Sequence, residues 1–305
     1  MPFELKILGC NSATPAYGRH HTAQLLHAGK HYFLIDCGEG TQERLTQYKA
    51  HTWKINHIFI SHLHGDHYLG LMGLLFTMHL LKRTQDLHIY GQRGLDEIIL
   101  AQLRYSDSKL NYTLVFHELN PNNKELIFED GQIRVNSFPL KHRIPCCGFL
   151  FSEKQKPFRI NKEKLTDDFP LQAIAALKQG KEYIDEKTGK KYSVNEYTLP
   201  PRKSRSYAYC SDTKYDEQLI PFIKNADLLY HEATFLADKE KWAHLTYHST
   251  THEAAKIAKA ANVGKLLIGH YSARYKDVTP FVEEAREVFE NSLLSEEGQL
   301  IEVED

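Results

Sequence analysis

His62-Leu63-His64-Gly65-Asp66-His67 places four residues able to bind a metal within six positions. Residues 55–61 (INHIFIS), just before it, read as a strand from their β-branched and aromatic content. Residues 69–82 (LGLMGLLFTMHLLK), just after it, read as a helix that is apolar on most faces and therefore buried against a sheet. The six residues then fall on the turn between strand end and helix start, where functional side chains are commonly displayed. In extended backbone alternate side chains share a face, so His62 and His64 address one ion while Asp66 and His67 face a neighbouring position. Imidazole with carboxylate and no thiolate suits zinc, with manganese or iron as alternatives.

With 305 residues and 42% apolar content, the chain can build a sizeable core, as one large domain or two small ones. A formal charge of −1 excludes a chain-wide attraction to nucleic acid, so any such surface must be local. Eighteen histidines are an excess that a multi-histidine metal site would leave. The five cysteines (10, 37, 146, 147 and 210) are odd in number and include no C-x-x-C pair, which argues for a reducing compartment over a disulfide framework. The opening MPFELKILG lacks a basic region followed by an apolar stretch, and no segment reaches membrane-spanning length. The expectation is a soluble, cytoplasmic protein with no membrane association.

Residues 3–8 read as an opening strand, and 23–27 with 31–35 as a hairpin around Ala28-Gly29-Lys30. The hairpin ends in FLIDCGEGTQ, which sets Asp36 at a strand terminus beside Gly38 and Gly40, where backbone can pass close to a metal site. From its position alone Asp36 could also cap a helix from Glu39 onward. Strands are expected at 87–90, 112–119, 125–128 and 132–140, and a helix at 95–105. The strand 132–140 leads into Lys141-His142-Arg143, which makes His142 a candidate ligand.

From 153 to 205 the chain carries thirteen Lys or Arg against eight Asp or Glu, a local charge of about +5 that leaves the remainder at about −6. This segment holds an amphipathic helix candidate at 171–178 and a turn at 186–190, with little else to form a core of its own. It reads as a basic arm inserted in a single domain spanning 1–305, with Arg202, Lys203 and Arg205 as substrate contacts. A solvated excursion without a partner is the other reading. The strand 206–210 then leads to Asp212, and helical residues 217–224 precede the strand 228–230. His231 and Glu232 follow that strand, and His248 lies on the next loop. A helix 251–261 capped by Thr250 or Thr251 comes next, then a strand 265–268 ending at Gly269-His270, a final helix 280–291 and an acidic tail.

Ligands at the ends of successive strands describe one site on one edge of a layered α/β fold, a four-layer αββα sandwich with a mixed sheet. One ion would take His62, His64, His142 and Asp212, the other Asp66, His67, Asp212 and His270. A shared Asp212 carboxylate would offset the repulsion of two cations and hold them about 3.5–4 Å apart. Such a pair activates water near neutral pH and suits a phosphodiester, whose departing alkoxide still needs a proton. Asp66 can orient the nucleophile, and His248, with Glu232 behind it, is the general acid by position.

H-x-H-x-D-H resembles the signature of the metallo-β-lactamase superfamily. Together with HEAT at 231–234, HST at 248–250 and PPRKSR at 200–205, it makes the chain from Leu8-Gly9 to His270 resemble the ribonuclease Z family. The resemblance implies a metallo-β-lactamase sandwich with an inserted flexible arm and two Zn2+ per subunit, Mn2+ being possible. It implies cleavage of precursor tRNA 3′ of the discriminator nucleotide, leaving a 3′-hydroxyl. It also casts Asp36 and His231 as supports behind the ligands, and implies a homodimer in which one subunit's arm clamps the tRNA held by the other. Asp168-Phe169-Pro170 departs from the Gly-Pro that many family arms carry. The rival readings are a thioesterase or small-molecule phosphodiesterase of the same fold, which leaves the basic segment unexplained, and a metal-free RNA-binding relative, in which the ligand positions would not all be filled.

Overall fold

Residues 55–59 (INHIF) become a strand buried at four of its five positions, alternate ones included, which only a sheet covered on both sides provides. The computed structural model describes residues 2–304. The first half of the chain forms β1 (Phe3–Gly9), β2 (Ala23–Ala28), β3 (His31–Ile35), β4 (Ile55–Phe59), β5 (Leu87–Gly91) and β6 (Leu114–Glu118). The second half begins with β7 (Glu125–Glu129), β8 (Ile133–Pro139) and β9 (Cys147–Glu153). Residues Glu153–Arg205 contain the two-residue strands β10 (Arg159–Ile160), β11 (Tyr183–Ile184), β12 (Lys191–Tyr192) and β13 (Thr198–Leu199). The chain closes with β14 (Ser206–Cys210), β15 (Leu228–Glu232), β16 (Lys265–Gly269), β17 (Ser292–Leu294) and β18 (Leu300–Glu302).

Two seven-stranded sheets result, in the orders β18-β1-β2-β3-β4-β5-β6 and β17-β16-β15-β14-β9-β8-β7. Strands β3 to β6 run parallel, as do β14 to β17. The facing sheets interlock through aromatic side chains, with Phe33 and Phe59 of the first meeting Phe151 of the second at ring distances of 5.4 and 5.3 Å. Outside the first sheet, helices Leu71–Leu80 and Leu95–Tyr105 bury Leu74, Leu75, Met78, Ile99 and Leu103. Outside the second, helices Thr251–Ala260 and Thr279–Val288 bury Ala254, Ile257, Ala258, Phe281 and Ala285. These are the four αββα layers.

Several expectations are corrected. The helix expected over 69–82 is shorter, Leu71–Leu80, and a separate helical turn, Gly65–Tyr68, precedes it. Gly70 marks the break, because its N–H is held by the Cys37 carbonyl 2.9 Å away and a Cβ there would sit 2.1 Å from the Gly38 oxygen. The stretch 217–224 divides into a 3-10 turn, Glu217–Leu219, and a helix, Ile220–Ile223. The last helix stops at Val288, and the supposed acidic tail supplies β17 and β18, an edge strand for each sheet. Strand β9 and the helix Glu240–Thr246 were not expected at all.

Residues Glu153–Arg205 form a second compact unit. Contrary to expectation it has its own small core, in which Ala173, Leu177, Tyr192 and Tyr197 are buried against Phe169 and Tyr183. Its first and last residues are joined by a forked ion pair, Arg205 Nε to Glu153 Oε2 at 3.0 Å and Nη2 to Oε1 at 2.6 Å. Arg205, expected to contact substrate, is buried in that pair, whereas Arg202 and Lys203 are exposed.

Candidate metal centre

Strand ends place the candidate ligands. Asp36 follows β3, His62 follows β4, Asp212 follows β14 and His270 follows β16, while His142 comes from the loop after β8. Two groups result, His62, His64, His142 and Asp212, and Asp66, His67 and His270; within each, one ligand atom per residue lies within 4.8 Å of the others. His64 Nδ1 is 3.1 Å from both His62 Nε2 and His142 Nε2. Asp212 serves both groups: Oδ2 is 3.7 Å from His62 Nε2 and 3.9 Å from His142 Nε2, and Oδ1 is 3.3 Å from His67 Nε2 and 3.2 Å from His270 Nε2. Asp66 Oδ2 completes the second group, 3.5 Å from His67 Nε2 and 3.4 Å from His270 Nε2.

The hydrogen bonds behind the ligands decide what the inward atoms are. His67 Nδ1 donates to Asp36 Oδ2 at 2.7 Å and His142 Nδ1 to the Tyr247 carbonyl at 3.0 Å. His62 Nδ1 meets Ser61 Oγ at 3.0 Å, and His270 Nδ1 meets Thr234 Oγ1 at 2.8 Å. With the protons held outward, the inward nitrogens are bare lone pairs. His62 Nε2 and His142 Nε2, so fixed, both face His64 Nδ1 at 3.1 Å, a convergence of ring nitrogens that a cation between them would satisfy. His67 Nε2, His270 Nε2 and Asp212 Oδ1 are moreover buried with no hydrogen-bond partner, a costly state that metal ligation relieves. The donor set therefore fits two divalent cations, and the electrostatics agree. Burial disfavours a charge on His67, yet the carboxylates of Asp212, Asp66 and Asp36 raise it well above the usual imidazole range, so the pocket favours positive charge. Burial also opposes charge on Asp66 and Asp212, but the surrounding histidines hold both below the usual carboxylate range.

Asp36 does not cap a helix. The helix Thr41–Gln47 is capped by Gly40 at φ 86° with no side-chain bond. Asp36 instead accepts from Ser61 N at 2.7 Å, Ser61 Oγ at 2.9 Å, His67 Nδ1 and Tyr209 OH at 2.6 Å. Asp36, Tyr247 and His270 all have positive φ, 54°, 64° and 65°. Such left-handed backbone at non-glycine residues is costly and clusters at sites that the surrounding structure over-determines. Gly38 admits the close approach anticipated for this loop, since a Cβ there would lie 2.3 Å from the Asp66 carbonyl oxygen.

Glu232 is fully buried and saturated. Oε1 accepts from His248 Nδ1 at 2.9 Å and Ser249 N at 3.0 Å, and Oε2 accepts from Thr234 N at 2.9 Å and Thr234 Oγ1 at 2.8 Å. One carboxylate thereby orients His248 directly and His270 through Thr234. Burial works against a charge on His248, but Glu232 outweighs it and pushes the imidazole up to about 9. His248 lines a cavity of about 800 Å³ that also takes in His64, Asp66, Asp212 and His270, with Arg143 and Arg274 on its wall. His231 does not join the site. Its Nδ1 bonds the Glu232 carbonyl at 2.7 Å and its Nε2 has no partner, so the support expected from it comes from Thr234. Thr234 lies inside the same HEAT tetrapeptide, where its hydroxyl was the available signal. Tyr247 was overlooked because a backbone carbonyl leaves no trace in residue type.

Residues 3–167 match the family described as "Anti-Pycsar protein Apyc1". Over its whole length the chain is 51% identical to "Ribonuclease Z" of Cytophaga hutchinsonii, covering 97% of that protein. It is 42% identical to "Ribonuclease Z" of Bacteroides fragilis over 98% of both chains. Among solved structures, human tRNase Z, short form, superposes with a TM-score of 0.73 at 28% identity, covering 99% of this chain and 100% of the human one. The Bacillus subtilis metallo-β-lactamase fold protein YhfI shares the fold, with a TM-score of 0.69 at 21% identity over 99% of this chain and all of that one. By its N-terminal half the chain belongs to the Apyc1 family, and by its full length it belongs to the ribonuclease Z family within the metallo-β-lactamase fold.

Proposed function

We propose that this chain is a two-metal endoribonuclease that removes 3′ trailers from precursor tRNA, cutting 3′ of the discriminator nucleotide. The observation that carries the reading is Asp212, one carboxylate facing two ligand groups beside a His248–Glu232 pair, in a chain whose full-length relatives are named ribonuclease Z. His62, His64, His142 and Asp212 would hold one ion, and Asp66, His67, Asp212 and His270 the other. Zinc suits this nitrogen-rich set, and manganese is the alternative. When bound, such a pair supplies a hydroxide nucleophile and neutralises a non-bridging phosphate oxygen. Asp66 borders the cavity and orients the attacking group. His248, charged through Glu232, gives its proton to the departing 3′-oxygen, so the tRNA leaves with a 3′-hydroxyl and the phosphate stays on the trailer.

The basic unit Glu153–Arg205, with exposed Arg202 and Lys203, supplies the cation density that a tRNA backbone requires in a chain of nearly neutral total charge. Asp36 keeps its role behind the ligands. A homodimer is the fitting assembly, because Leu69, Leu80 and Leu81 at and beyond the ends of the apolar helix Leu71–Leu80 remain more than half exposed. No helix among the described residues is long and apolar enough to cross a membrane, and the five cysteines are free and buried, which suits the reducing cytoplasm.

The test is cleavage of an end-labelled precursor tRNA with and without chelator. A chelator-sensitive cut beside the discriminator nucleotide, leaving a 3′-hydroxyl, is expected. No cut by a protein shown to hold two ions would redirect the reading to a small-molecule hydrolase.

A further inference from the structure

Three donors converge on Asp36 Oδ2, and one arrives from the opposite sheet. Ser61 and His67 belong, like Asp36, to the N-terminal half. Tyr209 belongs to β14, three residues before the bridging Asp212. Strand alternation sends Tyr207 and Tyr209 to the same face, into the space between the sheets, and both are fully buried. Each hydroxyl donates across that space, Tyr207 to Gln24 and Tyr209 to Asp36. The two bonds differ in what lies beyond the acceptor: Asp36 grips His67, a member of the second ligand group, whereas Gln24 Oε1 takes the bond from Tyr207 and its Nε2 has no hydrogen-bond partner among the described residues.

A metal-ligating histidine is aimed by the group that takes its other proton, and ligand distances tolerate only about ±0.2 Å. Asp36 does that for His67 and is itself held by Tyr209. Beside this contact, Ser61 Oγ lies 3.0 Å from Ser211 Oγ, a second tie between the halves next to Asp212. We propose that Tyr209 is a positioning residue of the second metal subsite: its hydroxyl, carried by the strand that delivers Asp212, fixes Asp36 and through it His67, keeping ligands from the two halves in register. The proposal rests on the two-metal reading above.

The experiment uses the full chain as wild type, Tyr209→Phe and Tyr207→Phe, each titrated with Zn2+ against a chromogenic chelator. Wild type is expected to hold two equivalents. In Tyr209→Phe one equivalent should weaken about tenfold, at the low end of the 10–100-fold scale for lost outer partners, while the other is unchanged. Tyr207→Phe should keep both, although it too loses a buried hydrogen bond. Asp36→Asn should weaken the same equivalent, and adding Tyr209→Phe to it should cost nothing more, because the residues act in series. Melting of the metal-free chains separates a general loss of stability from an effect on the metal. Wild-type affinity for both ions in Tyr209→Phe, or an equal loss in Tyr207→Phe, overturns the proposal, as does a Tyr209→Phe chain that fails to fold when Tyr207→Phe folds. A wild-type chain holding fewer than two ions overturns the two-metal reading itself, and this inference with it.

Discussion

His248 Nδ1 lies 2.9 Å from Glu232 Oε1, so the imidazole lining the cavity is backed by a buried carboxylate that touches no solvent. His248→Ala should slow cleavage at least ten- to a hundred-fold, the usual scale for a lost general acid, with both metal equivalents retained. Metal analysis beside single-turnover rates checks this. Loss of metal instead would make His248 a ligand.

The same pair sets a pH dependence. Glu232 raises the His248 pKa, so the acid form persists to higher pH than an ordinary histidine allows. Glu232→Gln removes that charge, and the alkaline limb of the kcat profile should move to lower pH by about 1–3 units, the usual effect of one close opposite charge. An unmoved limb would separate Glu232 from proton transfer.

Asp212 faces both ligand groups, so its loss should weaken both ions, whereas His64→Ala should weaken one. Chelation of the wild type should abolish cleavage and lower the melting temperature, because ions that bind only the folded chain stabilise it by mass action. Metal stoichiometry and calorimetry on the three proteins read this out. A single weakened ion in Asp212→Asn would exclude a bridging role.

Replacing residues 153–205 by a short turn should abolish precursor tRNA cleavage and spare hydrolysis of a small phosphodiester such as bis-p-nitrophenyl phosphate. The graft is geometrically mild, since Ser152 and Ser206 are already paired across β9 and β14. Survival of both activities would remove the basic unit from substrate binding.

Glu153 and Arg205 close that unit with a buried fork, and Lys156 Nζ adds a contact at 2.8 Å. Breaking such a pair strands a charge; Arg205→Ala should destabilise the unit by about 2–3 kcal/mol, below the fully buried figure because Lys156 remains near solvent. Burial works to raise the Glu153 pKa, but Arg205 and Lys156 hold it below its ordinary 4.5. The stabilisation is therefore complete above that pH and is lost on acidification. Hydrogen exchange within 153–205 at pH 7 and pH 4 would detect both effects, and equal protection at the two pH values would contradict the second.

The legible part of the site was the part written locally. Each ligand candidate stands at or just beyond an apolar stretch that becomes a strand, so residue type and position coincide at His62, Asp212 and His270. Tyr209, Ser211 and Thr234 escaped notice because their partners lie on other strands, Asp36 being 173 residues from Tyr209. Arg205 reads in sequence as a substrate contact because its neighbours are basic, yet its carboxylate partner is 52 residues upstream. The core of the basic unit was obscured for a related reason, its buried Tyr192 and Tyr197 being separated by mostly polar residues, of which Asn195 and Glu196 face water. Strands β17 and β18 have three residues each, too short for alternation to distinguish them from a polar tail.

The strand plan is used twice. Each half of the chain opens with antiparallel pairing and ends in a run of four parallel strands, β3 to β6 and β14 to β17. Comparable stations carry polar residues: Asp36 and Asp212 follow the first strand of each run, His62 follows the second of one run and Glu232 ends the second of the other, and Gln92 and His270 follow the third. The two runs bring their residues to the same edge of the facing sheets. Asp212 faces both ligand groups, and Asp36 stands behind His67. Neither half alone carries all the residues of either ligand group, so the centre exists only at the seam, and a shift of one sheet against the other would undo the site before it undid the core.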